Sequence, residues 1–308
     1  MSCIAVVPAH RAGATIAATL ESLICANGDF VARVIVVTSA GDRTAEVARR
    51  RAGVEVVEAP SRLSAGAARN LGRSIAGPGA DLLLFVDADC ELECSGAAAL
   101  AAELERRGAA AVAARVQRRG GGVVAWLRHA LEFKEAEGRL RASPQWLPPS
   151  TTMLCRASAL DRSGGFPDLW PGEDLVLAHR MRARGDAVVL SETVRTHHRH
   201  PDGFGEMLAH QRRLGRTAAV ARALTGMHGD AFVRRRYLVP LLLPARLLRG
   251  LAWFARSSMR DLLAAVALLP LYVIALGAWT LGFSDGVRDA RAGAVCATHA
   301  GATRQGAS

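Results

Sequence analysis

Short, continuously apolar runs alternate with helical segments along the first 116 residues, and this alternation limits the folds open to the chain. The predicted strands are 4–7, 34–37, 54–57, 82–86 and 110–116, and the predicted helices between them are 13–26, 42–51, 64–75 and 95–107. Apolar strands separated by helices of about ten or more residues are typical of βαβ units around a buried parallel sheet. The pattern therefore predicts an α/β fold with a central, mostly parallel sheet, in which ligands bind at the carboxyl ends of strands.

Two carboxylates follow the fourth predicted strand. Asp87 and Asp89 come directly after the apolar run 82–86. Residues two apart on an extended chain project to the same side, so we expect both side chains to point together at the carboxyl end of the strand. Such a pair suits Mg²⁺ or Mn²⁺, because the ion keeps other positions for water and a diphosphate. The alternative is that the pair caps the next helix.

The charge balance narrows the choice of partners. The chain has 39 Lys+Arg against 28 Asp+Glu, a net charge of +11, and Lys134 is its one lysine. Few aromatic residues interleave with the arginines and no nucleic-acid module stands out, so nucleic-acid binding is not predicted. Six cysteines without a CxxC pair or a Cys/His zinc spacing indicate a reducing compartment.

The carboxy-terminal part of the chain is strongly apolar. Residues 262–283 are 22 positions without a formal charge, about 33 Å of helix, which is enough to cross a bilayer with a kink at Pro270. A buried core helix is the alternative. Arginines and prolines interrupt 237–255, which favours a helix in the membrane interface over a second span. We predict membrane-associated or transmembrane helices over 231–283 and a disordered tail over 284–308.

Seven arginines between positions 234 and 260 give this region an orientation. Basic residues flanking membrane segments remain on the cytoplasmic side, and they also suit anionic headgroups. The sequence therefore predicts a cell-membrane location with the catalytic domain facing the cytoplasm.

Five motifs occur in a fixed order across residues 3–216. They are Val6-Val7-Pro8-Ala9-His10, Ala65-Gly66-Ala67-Ala68-Arg69-Asn70-Leu71-Gly72, Asp87-Ala88-Asp89, Gly164-Gly165-Phe166, and Gly172-Glu173-Asp174 followed by Arg180. Each motif is common alone, whereas their order and spacing are specific. In these motifs the chain resembles family 2 glycosyltransferases with a GT-A nucleotide-diphospho-sugar transferase domain, here over residues 1–230.

The resemblance implies a metal-dependent, inverting transfer from a nucleotide-sugar donor. Asp87 and Asp89 match the metal-binding pair, and Asp174, next to Glu173, matches the general base that deprotonates the acceptor hydroxyl. The alternative for Glu173 and Asp174 is a helix cap. A last short strand is predicted over 187–190. His198, in the cluster His197, His198 and His200 beyond it, is the candidate third metal ligand, with a solvated turn as the alternative.

The resemblance also implies donor-binding residues. They are Pro8, Ala9, Arg11, Ser39, Gly66, Arg69, Asn70 and Asp87. Arg212 and Arg213 are candidates to clamp phosphates of the donor or of a lipid-phosphate acceptor, and a basic face near the membrane is the alternative.

Two departures from the family pattern affect specificity. Family members often carry Asp-Asp-Gly-Ser after the second strand, and here the segment is Thr38-Ser39-Ala40-Gly41-Asp42. Ser39 or Asp42 could replace the base-contacting Asp, so the nucleotide stays open. The Gln-x-x-Arg-Trp signature of polymerising relatives is missing, which favours transfer of a single sugar.

These features predict a hexosyltransferase-type enzyme of the cell envelope that acts on a lipid-linked or membrane-resident acceptor. Two alternatives remain open at this point. The first is a non-catalytic nucleotide-sugar-binding membrane scaffold. The second is a sugar nucleotidyltransferase, although such enzymes usually open with a Gly-rich loop and a lysine near the phosphates, and this chain has neither near its first strand.

Overall fold

The chain forms two compact units. The computed structural model describes residues 2–25, 27–39, 41–200 and 203–292. Unit 1 comprises Met1–Leu169 and Glu173–His200, and unit 2 comprises Trp170–Gly172 and the described residues after His200.

A mixed sheet forms the centre of unit 1. Its strands are β1 (Cys3–Pro8), β2 (Val31–Ser39), β3 (Val54–Ala59), β4 (Leu82–Val86), β5 (Cys90–Leu92), β6 (Ala111–Arg119), β7 (Thr152–Arg156) and β8 (Val188–Arg199). The strand order is β3-β2-β1-β4-β7-β6-β8-β5. β3, β2, β1 and β4 run parallel, as do β6 and β8, whereas β7 is antiparallel to β4 and β6, and β5 is antiparallel to β8. The predicted α/β fold with a central, mostly parallel sheet is confirmed.

Helices cover both faces of this sheet. They are α1 (Ile16–Ile24), α2 (Arg43–Arg49), α3 (Ala65–Ala76), α4 (Gly96–Arg106), α5 (Val123–Glu132), α6 (Ala157–Arg162) and α7 (Glu173–Ala183). Successive strand residues face opposite sides: Val7 packs in the core with α1 and α4, and Val6 packs in the core with α3, α6 and α7. Because both faces are covered, β1 and β4 are apolar throughout, which is why the sequence shows continuous runs there.

Unit 2 is helical in its described residues. Its elements are α8 (Phe204–Thr225), α9 (Ala231–Arg234), a 3-10 segment (Arg236–Leu241), α10 (Leu242–Ser257), α11 (Met259–Ala267) and α12 (Leu269–Arg291). α8 and α12 touch backbone to backbone: a Cβ added at Gly282 would lie 1.9 Å from the carbonyl oxygen of Arg212, and one at Gly215 would lie 1.9 Å from that of Trp279. Arg212 and Arg216 of α8 also pair with Asp285 and Asp289 of α12.

The apolar stretch 262–283 is not one straight helix. It divides between α11 and α12, which meet at an angle of 82°. Pro270 lies in the first turn of α12, where its missing N–H and fixed φ suit a helix start and not a helix interior. By length and composition, Arg236–Ser257 could cross a membrane, where the sequence favoured an interface helix. α11 and α12 pass the same test only together, as a bent pair.

α12 also extends beyond the predicted apolar segment. Residues 284–291, expected in a disordered tail, form its last turns, with Val287 buried and Asp285 and Asp289 paired to α8. The prediction is wrong there because these acids meet arginines on another helix, which the local sequence does not show. The rest of the predicted tail, from 293 onward, lies outside the described residues.

Candidate active site

Asp87 and Asp89 lie on a tight turn between β4 and β5. The Cys90 N–H donates to the Asp87 carbonyl oxygen (2.9 Å), and the Asp87 N–H donates to that of Thr151 (2.8 Å). The chain is therefore a turn here and not the extended segment on which the expected same-side projection rested. The turn gives the two carboxylates different partners: Asp87 faces Arg69, and Asp89 faces His198.

Arg69 connects Asp87 to the start of α7. Its guanidinium donates from Nη2 to Asp87 Oδ1 and from Nη1 to Glu173 Oε1, each at 2.6 Å. The Arg69 side chain is 3% exposed, and its guanidinium carbon lies 5.1 Å from the centre of the Phe166 ring. A buried cation thus holds together carboxylates from two motifs that are more than eighty residues apart in the sequence.

Burial shapes the acid–base properties of these carboxylates. Burial raises the pKa of Asp87 to about 7; Arg69 opposes this rise, and the charges of Asp89 and Glu173 add to it. Burial likewise raises the pKa of Glu173, again with Arg69 opposing. Arg69 stays protonated under all relevant conditions, so it is the group that favours the ionised form of both neighbours.

Asp174 follows Glu173 in the first turn of α7. Its Oδ1 accepts from the Leu175 N–H (2.8 Å) and its Oδ2 accepts from the Ser150 N–H (3.3 Å). An acid in the first turn of a helix is stabilised by the helix dipole. Glu173 is buried against Arg69, whereas Asp174 is partly exposed. Asp174 is therefore the carboxylate of this pair that is accessible from solvent.

Asp89 and His198 form a candidate metal centre together with Cys90. The Nε2 atom of His198 lies 3.5 Å from Asp89 Oδ1, and one ligand atom from each of the three residues lies within 4.8 Å of the others. Burial lowers the pKa of His198, which keeps its imidazole neutral, as metal binding requires. Burial raises the pKa of the Cys90 thiol well above its ordinary value, so Cys90 stays protonated. A carboxylate beside a neutral imidazole fits Mn²⁺.

The position of His198 differs from the expectation. His197 and His198 lie inside β8, which runs to Arg199, and not beyond the last strand. β8 is longer than the predicted strand 187–190 because its second half pairs with β5 and with the end of β6. This pairing sets His198 opposite Cys90, next to Asp89.

Comparison with known proteins decides the family. Residues 4–164, more than half of the chain, match the sequence profile of Glycosyl transferase family 2. The chain belongs to this family. No curated protein matches it at the sequence level.

Solved structures with the same fold support the GT-A assignment of this family 2 glycosyltransferase. The mannosyltransferase PcManGT from Pyrobaculum calidifontis, in complex with GDP-Man and Mn²⁺, has a TM-score of 0.61 at 20% identity, covering 94% of this chain and 86% of PcManGT. S. aureus TarS 1–349, in complex with UDP-GlcNAc, has a TM-score of 0.51 at 17% identity, covering 95% of this chain and 92% of that one.

The segment after β1 is the predicted donor edge of this glycosyltransferase. Pro8 ends β1, and the Ala9 N–H donates to the Val37 carbonyl oxygen (2.9 Å), next to the end of β2 that carries Ser39. Arg11 has a φ of 53°, and its backbone N–H donates to Asp42. Pro8, Ala9, Arg11 and Ser39 therefore lie on neighbouring strand ends.

Asp42 caps α2 and holds this edge together. Its carboxylate accepts from the Thr44 N–H (2.9 Å), the Thr44 hydroxyl (2.7 Å) and the Arg11 N–H. Burial alone would raise the pKa of Asp42, but these hydrogen bonds lower it below its ordinary value. The Asp42 carboxylate is thus occupied by hydrogen bonds to Thr44 and Arg11. Ser39 is then the other predicted replacement for the Asp that contacts the nucleotide base.

Gly66 and Asn70 hold the Gly164-Gly165-Phe166 segment. The Asn70 amide donates to the Phe166 carbonyl oxygen (2.8 Å) and accepts from its N–H (2.9 Å). A Cβ at Gly66 would lie 2.5 Å from the Pro167 carbonyl oxygen, so only glycine allows this approach. Their observed contacts fix the loop beneath Arg69, and donor binding by these two residues stays a prediction.

Arg212 and Arg213 belong to unit 2. Arg212 pairs with Asp285 at 2.8 Å. The Arg213 guanidinium carbon lies 5.3 Å from the centre of the Trp170 ring. Phosphate binding by Arg212 and Arg213 stays a prediction.

A buried histidine network behind the metal centre was missed from the sequence. The His198 and His200 rings lie 4.4 Å apart. His200 Nε2 lies 3.2 Å from His129 Nδ1, and His129 Nε2 lies 2.8 Å from Glu137 Oε1. The only hint of this network in the sequence was the group of histidines near position 198. Its other members, His129 and Glu137, come from a segment about seventy residues away.

Proposed function

We propose that this chain is an inverting glycosyltransferase that moves a sugar from a nucleotide-sugar donor to the hydroxyl of a lipid-linked or membrane-resident acceptor. The observation that carries the proposal is the Arg69 bridge, which joins Asp87 of the carboxylate pair to Glu173, the neighbour of Asp174. Groups suited to a metal–diphosphate and a group suited to deprotonate an alcohol thus belong to one cluster. PcManGT and TarS, with GDP-Man and UDP-GlcNAc, are the structural precedents for such donors.

In this proposal, Asp89 and His198, supported by Asp87, hold Mg²⁺ or Mn²⁺. When bound, the ion supplies positive charge that stabilises the departing diphosphate. Arg69 favours the ionised form of Asp87 and fixes Glu173, so the carboxylates keep their positions when the donor arrives. Pro8, Ala9, Arg11, Ser39, Gly66, Arg69, Asn70, Arg212 and Arg213 are the proposed donor side.

Asp174 acts as the general base. It takes the proton from the acceptor hydroxyl while the acceptor oxygen bonds to the anomeric carbon and the bond from that carbon to the diphosphate oxygen breaks. The nucleoside diphosphate leaves on the opposite face, which inverts the anomeric centre. Glu173 supports this role by fixing the first turn of α7 through Arg69.

The proposed setting is the cell membrane, with the catalytic unit on the cytoplasmic side. Its support is the apolar stretch Arg236–Ser257 and the arginines around it. Arginine-rich segments at a membrane surface are attracted to the anionic lipids of the cytoplasmic leaflet, which favours this side.

The test is nucleotide release from UDP-, GDP- and dTDP-sugars with Mn²⁺ and with membranes of the expressing cells as the acceptor source. Asp174→Asn is expected to lower the rate about 10²-fold or more, the usual contribution of a general base. Asp29→Asn, at an exposed position of unit 1, is the control and should keep the rate. A normal rate in Asp174→Asn would remove the base assignment. Donor binding without any release would favour the non-catalytic scaffold.

A further inference from the structure

Unit 2 exposes an unusual amount of apolar side chain. Nine of the twelve large hydrophobic side chains that are exposed among the described residues lie between positions 237 and 281. We call six of them, from the 3-10 segment, α10 and α11, the apolar face. They are Tyr237, Leu241, Leu248, Met259, Leu263 and Val266. Tyr237 is 71% exposed, Leu248 66% and Leu263 63%. A soluble monomer rarely concentrates so many exposed apolar side chains in one short part of the chain.

The apolar face follows helical periodicity, so it is a built feature of α10. The exposed positions Leu241, Ala245, Leu248, Ala252 and Ala255 are three or four residues apart and form one stripe. The opposite side carries the buried residues Gly250 and Phe254. A surface helix of a soluble protein turns a polar side outward, whereas the outward side of α10 carries this apolar stripe beside its arginines.

Arginines border the apolar face. Seven arginines and a single acid, Asp261, occur between positions 231 and 284. Arg249, Arg256 and Arg260 are exposed next to the stripe, and Arg234, Arg235 and Arg236 are exposed at its start. One leaflet of an anionic bilayer offers both partners that this surface needs. Its acyl chains can receive the apolar side chains, and its phosphate headgroups can pair with the arginines around them. A protein partner would have to offer an apolar surface and a surrounding acidic rim at once.

The lengths and charges favour a helix lying in the membrane plane. α11 has nine residues, about 14 Å, against a hydrocarbon thickness of about 30 Å. α12 cannot supply the rest of the length needed to cross the bilayer. From Trp279 onward it packs on α8, and its acids pair with arginines of α8. A span over Arg236–Ser257 would carry the exposed Arg249 near its centre, where a charge is costly.

We propose that α10 and α11 insert the apolar face into one leaflet of an anionic bilayer and do not cross it. Arg249, Arg256 and Arg260 then contact lipid phosphates. This inference rests on the membrane setting of the proposed function, but it does not depend on the catalytic assignments.

Vesicle sedimentation of the full chain tests the lipid surface. Binding to phosphatidylcholine vesicles containing about one-third phosphatidylglycerol should exceed binding to pure phosphatidylcholine at least tenfold and should weaken with salt. The double variant Leu248→Glu/Leu263→Glu should lose at least tenfold of that binding, and Val123→Glu, at a 46% exposed apolar position in unit 1, should keep it. Unchanged binding by the double variant overturns the proposal. So does a wild-type chain that self-associates through this face, seen as an oligomer that the double variant dissociates.

Depth measurements distinguish in-plane insertion from spanning. A fluorescent label is placed at 241, 248 or 255 in a background with Cys25, Cys94 and Cys296 replaced by serine, and quenched by lipids brominated at known depths. In-plane insertion predicts one shallow depth for all three labels, all reached by a reagent added outside the vesicles. The proposal is overturned if the label at 248 lies deep in the bilayer while the labels at 241 and 255 lie on opposite sides of it. Nucleotide release by the double variant in detergent is measured separately, so a catalytic failure and a membrane failure remain distinguishable.

Discussion

At the scale of single residues, Arg69 has the largest structural role in the site. It is buried between Asp87 and Glu173, and replacing it with Met leaves both carboxylates without their cation. Removing one partner of a buried ion pair typically costs about 3–5 kcal/mol. We expect Arg69→Met to lower the free energy of unfolding by about that amount, measured by urea denaturation.

Arg73 provides the matched control on the same helix. It pairs with Asp161, whose side chain is 51% exposed. Exposed pairs contribute about 0–1 kcal/mol, so Arg73→Met should change the free energy of unfolding little. Equal losses in the two variants would contradict the buried bridge.

Asp42 is expected to make stability depend on pH. Its pKa in the folded chain lies below the ordinary value of 3.8. The carboxylate therefore stabilises the fold above about pH 4, and this stability is lost as the pH falls through the folded pKa. Asp42→Asn keeps a capping side chain but removes the charge. The difference in the free energy of unfolding between wild type and Asp42→Asn should therefore be smaller at pH 3 than at pH 6.

Ser64 is the neutral cap that controls for this effect. Its hydroxyl accepts from the Ala67 N–H at the start of α3 (3.1 Å). Because the same hydroxyl also donates to the Asp168 carboxylate (2.6 Å), the two caps are compared at pH 6, where Ser64→Ala should cost about 1 kcal/mol. A loss in Asp42→Asn that is the same at pH 3 and at pH 6 would contradict the assigned role of the carboxylate.

At the scale of elements, the contact between α8 and α12 depends on glycine. A Cβ at Gly282 would meet the Arg212 carbonyl oxygen at 1.9 Å, whereas a Cβ at Gly277, on the same helix, would meet its nearest neighbour, Leu243, at 3.9 Å. Gly282→Ala should force the helices apart and lower the Tm. Gly277→Ala should leave the Tm unchanged or raise it, because alanine favours a helix by about 1 kcal/mol over glycine. Thermal unfolding with limited proteolysis of unit 2 measures both, and a higher Tm for Gly282→Ala would contradict the observed packing.

The elements also show what local sequence can predict. The parallel strands and their helices were predicted because buried βαβ units have continuous apolar runs separated by helices of about ten or more residues. β5 and β7 were not predicted: β5 has three residues, and β7 follows a proline-rich segment. Both owe their existence to partner strands from distant parts of the chain. The division between α11 and α12 was expected only as a kink at Pro270.

At the scale of the whole molecule, the identities of the site residues were more predictable than their partners. The order of motifs led to Asp87, Asp89, Glu173 and Asp174 without any structure. The Arg69 bridge and the position of His198 next to Asp89 required the fold, because they join segments separated by more than eighty residues. Ion pairs between α8 and α12 explain in the same way why 284–291 are helical.

The most direct test of the central claim is a thermal-shift panel of UDP-, GDP- and dTDP-sugars with and without Mn²⁺. A donor that binds the native chain raises its Tm by mass action. We predict that at least one donor raises the Tm only when Mn²⁺ is present, that Asp89→Asn abolishes this rise, and that Asp174→Asn keeps it. A rise that is the same without Mn²⁺ and in Asp89→Asn, or no rise with any donor, would contradict the account.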